Sequence, residues 1–158
     1  MGKPDDVCAP LVAFSVEGVR YAIALAWAER ALPMVAVTPV PGAPAVVLGV
    51  INIGGTVVPV VDLRRRLGLP AREWGVAARL LLVRTPRRLL AIPADEVLGV
   101  LEVETAAVTL TPTVLPGLGR VSGIAALEDG LLFLYDVEAF LSEDEHRALG
   151  QALGEEVA

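Results

Sequence analysis

The chain holds few of the side chains that do chemistry in proteins. Its 158 residues include one histidine, His146, and one cysteine, Cys8. Enzyme sites need positioned partners, such as a nucleophile with its base, and a serine, histidine and aspartate set here would depend on His146. That histidine lies in the charged run 143–147, which indicates a solvated surface side chain. The sequence therefore predicts no catalytic residue.

The sequence is equally poor in residues and motifs that bind metals or cofactors. One cysteine cannot form an internal disulfide, and with one histidine in a distant segment it leaves no ligand set for zinc. Cys8 is interpreted as a free thiol, in keeping with a reducing cytoplasm. The glycines match neither the dinucleotide fingerprint nor the Walker phosphate loop, so they are interpreted as turn glycines. We expect neither a metal nor a cofactor.

Asp62 and Asp136 each follow an apolar strand, as the phosphoacceptor aspartate of a doubly wound receiver domain does. A receiver needs a parallel sheet with long helices between its strands, whereas this chain offers hairpins. We therefore predict that each aspartate caps the turn after its strand. An aspartate-dependent phosphatase is the enzyme alternative, and an Asp62→Asn variant would test it.

Composition limits the partners of the chain. It has 13 basic and 19 acidic side chains, a net charge of −6, which gives no electrostatic footprint for nucleic acid or anionic lipid. The mean hydropathy is +0.63, but every apolar run is broken before the roughly 18 residues of a spanning helix. The first ten residues lack the apolar core of a secretory signal. These features predict a cytoplasmic protein without direct membrane insertion.

The elements that position these residues are short strands. Segments rich in Val, Leu and Ile are each closed by Gly, Pro or charged residues, which is typical of strands and turns. Four hairpins are predicted, namely 11–16 with 20–24, 46–53 with 56–61, 80–83 with 89–92, and 121–127 with 131–135. Glycine marks three of the four turns, because it tolerates the positive φ of tight hairpins.

The chain also repeats itself. Segment 49–62 aligns with 123–136, 74 residues later, and Phe14 with Ala22 and Ile23 align with residues 69 positions later. We predict two β-barrel-like halves that pack on each other, each too small to bury a core alone, with the polar segment 70–79 as their connection.

Three short helical segments are expected. The sequence predicts a helix or turn over residues 25–32 that stops at Pro33, and one helical turn over residues 63–67. Ser142 with Glu145 forms a capping box at the start of a C-terminal helix, whose apolar stripe should dock on the barrels.

Several motifs resemble the signature of CheW-like domains. They are Thr-Pro-Val-Pro-Gly-Ala-Pro at 38–44, Gly-Val-Ile-Asn at 49–52 and Val-Val-Pro-Val-Val-Asp-Leu at 57–63. Four further segments occur in the same order as in the family, namely 11–14, 21–23, 94–97 and 123–125. The resemblance covers residues 11–141, flanked by an N-terminus, 1–10, that we expect to be flexible, and by a helix and tail, 142–158.

The resemblance implies an all-β fold of two intertwined five-stranded SH3-like β-barrel subdomains related by an internal repeat, with a short C-terminal helix. It also implies a non-enzymatic adaptor in chemotaxis or related chemosensory signalling. Its partners would be the regulatory domain of a CheA-type histidine kinase and the cytoplasmic tip of a methyl-accepting chemoreceptor, which family members bind in a groove between the barrels. Type IV pilus control and a self-assembling structural module are the alternatives.

The resemblance also indicates receptor-binding residues, which are Arg30, Leu32, Val35, Asn52, Gly54 and Gly55. Gly54 stands where the family has the arginine of Asn-Leu-Arg-Gly, and Arg30 stands where an acid is common. Losing one guanidinium and reversing one charge would weaken a standard receptor contact. We therefore expect either an unusual receptor or loss of the receptor contact with kinase binding retained.

Overall fold

The structure is a computed structural model that describes residues 10–70, 72–110, 114–115 and 119–155. Within these ranges the chain forms strands β1 to β12 and helices α1 and α2. The strands are Leu11–Val16, Val19–Ala24, Ala28–Pro33, Val47–Ile53, Thr56–Val61, Arg79–Arg84, Leu89–Ala94, Glu96–Leu101, Val108–Leu110, Val114–Leu115, Gly119–Leu127 and Gly130–Tyr135. The helices are Leu63–Arg66 and Glu143–Ala152. The expectations for Cys8, and for the N-terminus up to residue 9, lie outside the described residues.

All four predicted hairpins are present. They are β1 with β2, β4 with β5, β6 with β7, and β11 with β12. In the β4–β5 turn, Gly54 and Gly55 both have positive φ, 58° and 91°, as a tight two-residue hairpin turn requires. The short-strand pattern of the sequence therefore located the hairpins correctly.

The sheets show that the two repeats exchange strands. One sheet runs β3-β6-β7-β5-β4, and we call it the second barrel; the other runs β8-β1-β2-β12-β11-β10, with β9 also on β11, and we call it the first barrel. Strand β3 follows β2 in the chain but pairs with β6, and β8 follows β7 but pairs with β1. Each barrel thus combines strands of both repeats, which confirms the intertwined all-β fold.

A close backbone approach closes the second barrel. Thr38 and Val50 exchange two backbone hydrogen bonds, of 2.9 and 2.8 Å. Gly49, at a β-bulge with φ 153°, makes this possible, because a Cβ there would lie 2.1 Å from the Thr38 carbonyl oxygen. In the first barrel β9 pairs with β11 at the equivalent bulge, around Gly123. The 74-residue repeat is therefore visible in the bulges as well as in the sequence.

The largest core lies between the barrels. It joins Phe14 and Tyr21 of the first barrel to Leu81 and Ile92 of the second, and the C-terminal Leu149 packs into it. Two smaller cores fill the separate barrels. Because much of the buried apolar surface is shared, neither barrel would keep its core without the other.

The prediction of a helix or turn at residues 25–32 is only partly right. Leu25–Trp27 form one 3-10 turn, but Ala28–Pro33 form strand β3. Five residue pairs join β3 to the buried strand β6, from Ala28 with Val83 to Pro33 with Arg79. Without β3, β6 would have an unpaired edge, and this tertiary pairing overrides a helix propensity of a few tenths of a kcal/mol per residue.

The other helical predictions are confirmed. Helix α1 is a single turn, and α2 begins with the Ser142 and Glu145 capping box. Asp62 and Asp136 each cap the turn after their strand, by accepting the N–H of Arg64 and Glu138. Among the described residues, none of the helices is long and apolar enough to cross a membrane.

Candidate functional site

The residues that the resemblance assigns to receptor binding belong to the second barrel and the segment leaving it. On β3, Arg30 is exposed and Leu32 packs against the barrel's core, as Ile53 at the end of β4 also does. Arg30 makes no ion pair with another described residue, whereas its neighbour Glu29 pairs with Arg84 at 2.5 Å. The strand thus presents one unpaired cation beside an apolar anchor.

The β4–β5 turn is held by its own side chain. The Asn52 Oδ1 accepts the N–H of Gly55 at 2.8 Å, which fixes the turn that carries Gly54. A Cβ at Gly54 would meet no atom within 4 Å, so the position faces open space. Asn52, Gly54 and Gly55 therefore form one exposed unit, whereas Val35 lies in a different feature.

Val35 lines a groove of about 660 Å³ on the second barrel. The groove runs between residues 34–37 with Leu48 on one side and Arg65 with residues 72–76 on the other. Val35 is 47% exposed and Val76 is 98% exposed. Solvent-facing valines around a concave apolar surface are typical of an interaction site.

Trp74 forms one wall of this groove because buried charges hold it. The guanidinium of Arg64 lies 3.5 Å from the centroid of the Trp74 ring, and the indole N–H donates to Asp62 at 3.3 Å. Arg64 is 1% exposed, and Glu17 on the β1–β2 turn lies 3.4 Å from it. Sequence reasoning missed this unit; a lone tryptophan in the polar segment 70–79 was the signal.

A second groove, of about 460 Å³, lies between the barrels. Ala31 of β3 and Arg79 of β6 line one side, and Glu96 and Val97 of β8 line the other. Strands β3 and β8 are the edge strands of their sheets, and residues of both line this groove. None of the six assigned residues lines this groove, although Ala31 lies between two of them in the sequence.

The interpretation of His146 as a solvated surface side chain is wrong. The ring is half-buried and lines a pocket of about 140 Å³ together with Thr85, Arg87, Glu138 and Glu143. Its Nδ1 is buried and finds no hydrogen-bond partner among the described residues. The charged run hid this, because Leu149 on the same helix draws that face onto the barrels.

This pocket holds a hydroxyl, carboxylates and a histidine, which are the groups that a nucleophilic active site would need. The hydroxyl of Thr85 donates to the Arg88 carbonyl at 2.8 Å and accepts two backbone N–H groups, which caps a turn. The carboxylate of Glu143 pairs with Arg87. His146 hydrogen-bonds to neither of them in the described structure. A nucleophile needs a base within hydrogen-bond reach, and this arrangement does not supply one.

Comparison with known proteins places the chain in a family. The model of the CheW-like domain matches residues 10–145, which is most of the chain. The chain belongs to the CheW-like domain family. The matched span contains both barrels, the groove of Val35 and the β4–β5 turn.

Proteins with curated descriptions agree with this assignment. The chemotaxis protein CheW of Rhizobium meliloti is 29% identical over 87% of this chain and 90% of its own length. CheW of Bacillus subtilis is also 29% identical, with the same coverage. CheW of Thermotoga maritima is 33% identical over 68% of this chain and 70% of its own.

A solved structure shares the fold. The scaffolding protein TtCheW from Thermoanaerobacter tengcongensis superimposes with a TM-score of 0.77, at 22% identity, over 87% of this chain and 94% of its own. The intertwined barrels of this chain therefore have the same fold as TtCheW.

Proposed function

We propose that this protein is a non-enzymatic chemotaxis adaptor that couples chemoreceptors to a CheA-type histidine kinase. The observation that carries the proposal is the CheW-like match over residues 10–145, in which the matched barrels expose grooves and sheet edges. Such features suit protein partners, because edge strands and apolar grooves bind other chains. The adaptor acts in the cytoplasm, where the kinase and the receptor tip meet.

Two partners are proposed. The regulatory domain of the kinase has the homologous fold according to the resemblance, so it would bind barrel to barrel. The cytoplasmic tip of a methyl-accepting receptor would bind at the second barrel, near Arg30, Leu32, Val35 and the turn of Asn52, Gly54 and Gly55. Support comes from the exposure of Arg30 and Val35 and from the apolar anchoring of Leu32.

The receptor contact should carry a changed charge preference. Arg30 is an exposed cation without an ion-pair partner in the part of the chain that the structure describes, and Gly54 offers no guanidinium at the β4–β5 turn. A receptor helix that places an acidic side chain opposite Arg30 would gain complementarity, whereas one that places a basic side chain there would be repelled. Receptors tested should therefore include both kinds.

Binding measurements test the proposal. Purified protein is sedimented with receptor fragments in vesicles, with and without a CheA-type kinase, and compared with the variants Arg30→Glu and Arg147→Glu. Arg147 is an exposed cation on α2. The variant Arg147→Glu therefore makes the same charge change as Arg30→Glu, but at a position away from β3. We expect Arg30→Glu to weaken receptor binding about tenfold and Arg147→Glu to leave it unchanged. Failure of the wild type to bind either partner at tens of micromolar would refute the adaptor function.

One observation favours the self-assembly alternative. On edge strand β8, Leu98 and Val100 are 45% and 60% exposed, which makes this edge suitable for pairing between copies. Sedimentation velocity across a concentration series separates the alternatives. A monomer at all concentrations excludes homotypic rings, and concentration-dependent growth without partner binding supports them.

A further inference from the structure

Two pseudo-equivalent contacts join the barrels at their ends. In each, the helical turn after the last strand of one repeat reaches the first hairpin turn of the same repeat, which lies in the other barrel. Helix α1 brings Arg64 within 3.4 Å of Glu17 in the β1–β2 turn. In the second repeat, the turn Val137–Phe140 brings Glu138 to the same pocket as Arg87 of the β6–β7 turn. The two contacts have opposite polarity.

The two contacts also differ in their access to water. The Arg64 side chain is 1% exposed, while Arg87 is 49% exposed and its ion-pair partner Glu143 is 73% exposed. Water and salt weaken exposed ion pairs much more than buried ones. The contact at Arg87 is therefore the one that changes in solution conditions can open.

Helix α2 strengthens this second contact. It follows β12 of the first barrel, but its ionic partners belong to the second barrel and α1. Arg87 pairs with Glu143, Arg66 with Glu145, and Arg88 with Glu155 at 2.7 Å just beyond the helix. The helix thus ties the last strand of the first barrel to the β6–β7 hairpin of the second.

His146 lies in the middle of these charges. Arg87 and Arg88 face it from the β6–β7 turn, Glu143 and Glu145 from its own helix, and Glu138 from the turn before that helix. A protonated imidazole donates from both ring nitrogens, but the buried Nδ1 has no acceptor among the described residues. A proton on His146 would therefore leave a buried donor unpaired and add a cation beside two arginines.

We propose that α2 is an acid-sensitive latch between the two barrels, which opens when His146 takes up a proton. Opening would withdraw the buried Leu149 from the shared core and free the β6–β7 turn from the first barrel. The barrels would still be joined by the rest of the shared core and by their other end contact, Arg64 with Glu17. Acid would in this way loosen the contact at the β6–β7 turn but not the contact at the β1–β2 turn. The two barrel surfaces would then be presented to partners in a changed relative position.

The sign of the effect follows from the surroundings of the ring. Burial, with Arg87 and Arg88 adding to it, holds the pKa of His146 below its ordinary value of 6.5. The released histidine binds a proton more tightly than the docked one, so the docked state loses stability as pH falls below 6.5. The Arg87 hydrogen bond holds the pKa of Glu143 below its ordinary 4.5, so this carboxylate stays charged above pH 5. A change between pH 7 and 5.5 therefore belongs to His146.

Amide hydrogen exchange of the full chain tests the latch. Exchange rates of peptides from α2, corrected for the intrinsic pH dependence, are compared at pH 7 and 5.5 with those of peptides from β6. We expect α2 exchange to rise several-fold, at most about eightfold for one proton with an unfolded pKa of 6.5, while β6 stays unchanged. In the variant His146→Asn the rise should disappear. An equal rise in wild type and variant, or no rise in wild type, would overturn the proposal.

Two further variants separate the latch from general helix fraying. Glu143→Gln and Asp144→Asn each remove one negative charge from the first turn of α2, but among the described residues Asp144 pairs with Arg147 of the same helix and with no residue of a barrel. We expect Glu143→Gln to increase α2 exchange at pH 7 severalfold and Asp144→Asn to change it less than twofold. Equal effects of the two variants would mean that the contact with Arg87 does not hold the helix. If His146→Asn does not fold, His146→Phe replaces it.

Discussion

Adding one methyl group at Gly49 should destabilise the protein far more than adding it at the equivalent Gly123. In Gly49→Ala the new Cβ would lie 2.1 Å from the Thr38 carbonyl oxygen and 2.9 Å from the Cα of Pro39. Carbon and oxygen approach no closer than about 3.3 Å in ordinary contacts, so Thr38 must move by more than about 1 Å. That movement breaks the two hydrogen bonds between Thr38 and Val50.

The magnitude follows from these losses. Two hydrogen bonds contribute about 1–3 kcal/mol together, and holding alanine at φ 153° adds about 1 kcal/mol. We therefore expect Gly49→Ala to lower the free energy of unfolding by about 3 kcal/mol, a large share of the roughly 5–15 kcal/mol of a typical domain. The melting temperature should fall by about 6–12 °C.

Urea unfolding followed by tryptophan fluorescence measures the effect, with Gly123→Ala as the matched control. A Cβ at Gly123 meets its nearest atoms at 3.3 Å, one of them the side-chain end of Leu134, so the strand can adjust. We expect the control to change stability by less than about 1 kcal/mol. Equal costs for the two variants, or a cost below about 1 kcal/mol for Gly49→Ala, would show that the approach of Thr38 does not close the barrel.

Three further results are expected. Arg64→Met should destabilise by about 1–2 kcal/mol in urea unfolding, because it removes the buried cation that stacks on Trp74, whereas Glu17 keeps its ion pair with Arg72; a variant as stable as wild type would contradict this. Burial, with a smaller contribution from Tyr135, raises the pKa of Tyr21 to about 12. The Tyr21 phenol should therefore ionise above pH 11 in ultraviolet titration, and the stability of the protein should fall as pH rises from 10 to 12. A phenol that ionises near pH 10 in the folded protein would contradict this. Ser142→Ala should cost about 1 kcal/mol through loss of the capping box, measured by thermal unfolding, and no loss would mean that α2 does not depend on its cap.

The sequence was sufficient to find the hairpins and the repeat. Glycine at positive φ and alternating apolar strands are local signals, so the turn of Gly54 and Gly55 could be placed without tertiary information. The caps at Asp62 and Asp136 were equally predictable, because a capping side chain bonds to a backbone N–H two residues away. The C-terminal helix followed from its capping box for the same reason.

The candidate site was less accessible to sequence reasoning. The six assigned residues came from the resemblance, and the structure distributes them over β3, the β4–β5 turn and the groove of Val35. The other wall of that groove depends on Trp74 resting on Arg64, a contact between two polar-looking segments. Residue type and spacing do not reveal such a contact, because burial of a charge depends on the partners that the fold brings to it.

What the sequence determined by itself is therefore the set of strands, turns and caps, since each depends on neighbours within a few residues. Only the tertiary structure decided that residues 28–33 form a strand, that β3 and β8 exchange between barrels, and that His146 is half-buried. Those outcomes depend on pairing and packing between segments more than 50 residues apart, such as Ala28 with Val83. The free energy of such long-range contacts exceeds the local propensity of a segment. These contacts therefore decide the structure wherever the local sequence is compatible with more than one element.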